Sequence, residues 1–129
     1  MEIDNPIQTI EDLRKDAWKY HNVQRDTKTR ACDYSLLMFR LDTMEDTIRS
    51  MKYRNNRNYG LPVIFQLTEH TIYGIQLTKN NKPVYPLNIQ QQMRQSFLEI
   101  QEDVYHQNYQ KALDTIHNIC KTVRKYIVY

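Results

Sequence analysis

The strongest periodicity in the chain runs through Tyr34, Leu37, Leu41, Met44, Ile48 and Met51, which recur at alternating steps of three and four. Positions three and four apart lie on one helical face, so the repeat predicts an amphipathic helix. Arg40, Asp42, Glu45, Asp46 and Arg49 supply its solvated side, with Glu45 and Arg49 at the favourable four-residue spacing. The stripe reads either as a face turned to the core or as a homodimer contact of coiled-coil type. A coiled coil normally sustains its repeat over at least ~3 heptads, and this one covers about two and a half.

Similar stripes predict three further helices. Over 9–23, Ile10, Leu13, Ala17, Trp18 and Tyr20 share a face, and Thr9 with Asp12 resembles a capping box. Segment 24–29 has no apolar residue and predicts a break, with one long helix as the alternative. Asn88 can cap a helix over 89–106 that carries Ile89, Met93, Phe97, Ile100 and Val104 on one face and glutamines on the other. The register shifts at His106, Gln107 and Asn108. Tyr109, Leu113, Ile116, Cys120, Val123 and Ile127, broadened by Ala112 and Ile119, then predict a last helix over 109–127. One bent rod and an antiparallel pair both fit these two helices, because no glycine marks a sharp turn.

Between the two pairs of helices, 60–88 holds both glycines and three of the four prolines. Its period reads as two: Val63, Phe65 and Leu67 alternate with Ile64, Gln66 and Thr68, and Tyr73, Ile75 and Leu77 with Ile72, Gly74 and Gln76. That alternation predicts an antiparallel hairpin joined at Glu69 and His70. Lys79, Asn80, Asn81 and Lys82 form a turn signal, and Pro83 and Pro86 limit any third strand through Val84 and Tyr85 to a short edge. The expected fold is therefore α+β: two N-terminal helices, a central hairpin or short three-stranded meander, and two C-terminal helices packed around it. A sheet this small needs helices over its faces, which makes 1–129 a single domain.

Composition sharpens this picture in places. With 129 residues and 40% apolar content the chain can build its own core. Glycine (2) and alanine (3) are scarce, while tyrosine reaches 10 and asparagine plus glutamine 21, a bias of the kind AT-rich genomes produce, including phages and mobile elements. The net charge of +3 is spread along the chain and lacks the basic excess of a DNA-coating protein. Cys32 and Cys120 sit in apolar helical patterns and read as small buried hydrophobes of a reducing compartment, with one bridge between helices as the alternative. The opening residues carry acids where a secretion signal needs bases, and no segment approaches the ~18 apolar residues of a membrane span. The expectation is a cytoplasmic protein, in the host cytoplasm if the gene is a phage's.

Candidate chemistry is sparse. Two glycines cannot build a phosphate-binding loop, and His21, His70, His106 and His117 with the two cysteines offer no zinc-type pair. Cys120 and His117, three apart, read as a buried thiol beside a surface imidazole. No catalytic, metal or cofactor site is expected. A surface is left: Lys52, Arg54 and Arg57 interleave with Tyr53 and Tyr59, and Tyr85 lies on the proline-blunted edge. The tyrosine excess and the absent catalytic motifs point to a non-enzymatic protein that binds another protein as an accessory, regulator or inhibitor. The alternative is a nucleic-acid-binding regulator that uses 52–59, with Lys121, Arg124 and Lys125 as a second basic group.

Overall fold

The structure, a computed structural model, describes residues 8–19 and 31–125. Five helices dominate it: α1 (Ile10–Lys19), α2 (Tyr34–Arg54), α3 (Arg57–Gly74), α4 (Leu87–Tyr105) and α5 (Tyr109–Arg124). Strands β1 (Thr78–Lys79) and β2 (Lys82–Pro83) form a small ribbon between α3 and α4. The expected α+β fold with a central hairpin is thus overturned, since the described chain is 79% helical.

The error lies in α3, whose apolar residues satisfy both periods. Val63, Phe65 and Leu67 alternate, yet Leu61, Ile64, Phe65, Thr68, Thr71 and Ile75 recur at helical steps, and these are the buried ones. α1, α2 and α4 all pack against α3, so it keeps little of the polar face that marks an amphipathic helix. Glu69 and His70 therefore lie within a helix and not at a hairpin tip. Gly60 does not mark a loop either. A Cβ at that position would stand 2.6 Å from Met51 Cγ, so glycine permits the close approach of α2 and α3. Pro62 is inside α3, where it has no amide to donate to the carbonyl of Asn58 four residues earlier.

The predicted turn at Lys79–Lys82 does form. Asn80 and Asn81 adopt left-handed φ of 56° and 66°, and Thr78 pairs with Pro83 and Lys79 with Lys82 around them. Both strands are exposed, so the ribbon adds nothing to the core.

Helix ends follow local rules. The Thr9–Asp12 capping box closes with Asp12 N donating to Thr9 Oγ1 at 3.0 Å and Thr9 N to Asp12 Oδ2 at 3.4 Å. Asp33 caps α2 by accepting from Leu36 N at 3.0 Å. Asn88 is not the cap expected of it, because α4 already starts at Leu87 behind Pro86. The end of α4 decides between rod and pair. Gln107 takes a φ of 65°, Asn108 N donates to Asp103 O at 2.7 Å and Gln107 N to Val104 O at 3.1 Å, a Schellman ending that turns the chain back. The break expected at 24–29 and the helix ends expected at 20–23 and 126–127 lie outside the described residues.

Side-chain pairings define the packing. Gly60 meets Met51 and Arg40 bonds Thr71, so α2 and α3 are antiparallel. Arg57 reaches Tyr105 and Gln101 reaches Thr68, so α3 and α4 are antiparallel too. Lys52 bonds Gln110 and His117 lies near Glu45, which brings α5 back onto α2. The result is an up-down-up-down four-helix bundle, with α1 laid along the outside of α3 and touching α4. Leu37, Leu41, Met44, Ile48 and Met51 are buried in its core and Tyr34 partly so, which leaves little of the heptad stripe for a second chain. Cys32 and Cys120 form no disulfide, so the bridge between helices offered as the alternative is not made. Among the described residues no helix is long and apolar enough to cross a membrane.

Candidate functional site

Four helix ends meet at one pole of the bundle, where Asn55 and Asn56 join α2 to α3 and residues 106–108 join α4 to α5. Asn55, left-handed at φ 52°, closes α2 and permits the abrupt reversal. On either side of that reversal stand Tyr53 and Tyr59, 71% and 66% exposed. Lys52 Nζ lies 5.1 Å from the Tyr53 ring centroid and donates to Gln110 Oε1 at 2.8 Å. Arg54 is exposed beside them.

Arg57 has a different task. Its Nη1 donates to the Val104 carbonyl at 3.0 Å and its Nη2 to the Tyr105 carbonyl at 2.7 Å, while the guanidinium sits 5.7 Å from the Tyr105 ring centroid. These carbonyls belong to the last turn of α4, beyond the reach of the helix's own i+4 amides; Val104 O also accepts from Gln107 N, and the helix end favours a cation there. Arg57 is thereby a clasp between helices.

Tyr85 leaves the predicted group altogether. It is 4% exposed and lies near Cys32, Asp33 and Tyr34, at the start of α2. Twenty residues of helix place that end roughly 30 Å from Tyr53. Burial foremost, and then the fields of those three neighbours, push its phenol well above the usual tyrosine range. The second basic group is likewise remote: α5 runs away from the pole, which puts exposed Arg124 roughly 20 Å along the helix from Gln110. The two basic groups do not form one surface.

Two shallow clefts flank Lys52 and Tyr53. One, of about 350 Å³, is lined by Asp46, Arg49, Ser50, Tyr53 and Arg54. The other, of about 530 Å³, is lined by Lys52, Gln107, Asn108, Tyr109, Gln110 and Lys111. Sequence reasoning missed this second wall. The register shift at 106–108 marks it as a turn, but only the antiparallel packing of α5 on α2 brings it beside Lys52.

The other chemistry is dispersed. Asp103, Tyr85 and Cys120 have pKa values pushed up, each chiefly by burial, and they lie on separate segments outside both clefts. His70 Nε2 is 2.8 Å from the Ala17 carbonyl, and exposed His117 is 3.7 Å from Glu45. Among the described residues no three His, Cys, Asp or Glu side chains are grouped to hold a metal ion. No protein-family model, curated protein or solved structure matches this chain, so the geometry carries the functional reading.

Proposed function

We propose that this chain is a small non-enzymatic binding module that docks another protein through the Tyr53–Tyr59 pole, acting as an accessory, regulator or inhibitor. The observation that carries the reading is the pair of highly exposed tyrosines across a tight inter-helix turn, beside Lys52 and Arg54. Rings held on helix ends offer large contact area at low entropic cost, and tyrosine with arginine dominates binding hot spots. Lys52, Arg54 and Lys111 favour an acidic partner surface. The scarcity of glycine and alanine supports a phage or mobile-element origin, and with it action in the host cytoplasm. Against a nucleic-acid partner stand the engagement of Arg57 with α4 and the separation of the two basic groups.

The test is capture from native or host extract with wild-type protein and a Tyr53→Ser/Tyr59→Ser variant of unchanged helicity. A protein retained by the wild type and reduced at least about tenfold by the variant is the expected result. Equal recovery by both removes this surface from the function. A gel shift with DNA or RNA at low salt that is lost with Arg54→Ala would replace the proposal with the nucleic-acid reading.

A further inference from the structure

The seam beneath α1 differs in kind from the rest of the packing. Helices α2 to α5 close on one another without α1, and α1 fully buries only Leu13 and Ala17. Polar contacts do much of the remaining work. The Gln101 side-chain amide donates to Thr68 Oγ1 and to Glu69 Oε2, each at 2.8 Å, which clasps α4 to α3 independently of α1. With both amide hydrogens engaged, Gln101 and Glu69 meet the α1 side chains with acceptors, while His70 Nε2 donates to the Ala17 carbonyl at 2.8 Å. Gln101 Oε1 accepts from Arg14 Nε at 2.7 Å and Glu69 Oε1 from Trp18 Nε1 at 3.1 Å. The indole is cradled by His70, with ring centroids 4.7 Å apart, and lies edge-on to Tyr73 at 5.6 Å. Such a platform selects N–H donors, here a cation and an indole one helical turn apart.

Two further observations bear on how firmly α1 is held. A crevice of about 240 Å³, lined by residues that include Leu13, Ala17, Pro62 and Gln66, remains in the α1–α3 seam where a core would be filled. Both flanks of the connection to α2 sit beside the end of α3, since Trp18 packs on Tyr73 and Cys32 N donates to the Gly74 carbonyl at 2.9 Å.

We propose that the α3–α4 seam is a helix-docking site, that α1 is its displaceable occupant, and that a partner helix presenting an arginine and a tryptophan one turn apart docks there in its place. A helix as short as α1 does not persist alone, so its release is also its unfolding. Tethering gives α1 a high local concentration, so a competitor is best measured with α1 undocked.

The probe is a labelled peptide of residues 8–19, added to the full-length chain and to its Arg14→Ala/Trp18→Ala variant. The peptide should bind the variant at least tenfold more tightly than the wild type. Adding Glu69→Ala should cost at least tenfold of that affinity. Tyr53→Ser/Tyr59→Ser should change nothing, which separates failure here from failure of the partner-binding pole. In wild-type hydrogen exchange, α1 amides should exchange through an opening that leaves α2 to α5 protected. Loss of the bundle's thermal transition in the double variant would make α1 integral and overturn the proposal. So would a folded variant that ignores the peptide, or α1 amides that exchange only on global unfolding.

Discussion

Asp103 shows how one residue's surroundings set a pH response. It lies on the last turns of α4, 6% exposed, with Oδ1 3.8 Å from Lys111 Nζ and no hydrogen-bond partner for Oδ2 among the described residues. Burial raises its pKa and Lys111 only partly offsets that. A raised carboxyl pKa means that the folded state binds the proton more tightly than the unfolded chain does. The group therefore lowers stability at neutral pH, and that penalty disappears as pH falls through the raised pKa towards about 4. Asp103→Asn should unfold at a higher temperature than wild type at pH 7, with the gap closing by pH 4. A gap equal at both pH values would locate the effect in packing and not in ionisation. Tyr85 teaches a related lesson. Its position between prolines is visible in the chain, but its burial under the start of α2 is a property of its neighbours.

At the scale of elements, the ends of helices were legible where a side chain meets its own backbone, and illegible where the partner comes from another helix. The Thr9–Asp12 box and the Asn80–Asn81 turn are local chemistry. Arg57 reads as one more base at a helix end, yet it holds two carbonyls of α4 far along the chain. Arg57→Ala should cost about 1–2 kcal/mol of stability by chemical denaturation. The amides of residues 106–108, anchored to the same turn, should lose hydrogen-exchange protection. Unchanged protection would mean that water replaces the guanidinium without loss. Arg57→Lys should recover only part of the stability, since one ammonium cannot reproduce the two-point fork.

At the scale of the whole molecule, the heptad stripe of α2 lies inside a closed bundle, with Leu37, Met44 and Ile48 fully buried and Leu41 at 1% exposure. Leu41→Lys would place an ammonium among apolar side chains and should abolish the cooperative unfolding transition. Light scattering with circular dichroism checks this: a folded variant with half the wild-type mass would put the stripe at a subunit contact instead. The sequence by itself determined α2, α4 and the start of α5, along with the capped entry to α1, because each helix presents one apolar stripe over a largely polar remainder, although Arg40, read as part of the solvated side of α2, is buried against Thr71. It also marked Lys52, Tyr53, Arg54 and Tyr59 as surface. Only the tertiary structure decided α3, since packing by α1, α2 and α4 reduces the polar face that reveals helical period and leaves an apolar run that also alternates like a strand. Packing alone likewise moved Tyr85 into the interior, turned Arg57 into a clasp and set the 106–111 wall beside Lys52, because burial and adjacency across helices are fixed by which faces meet.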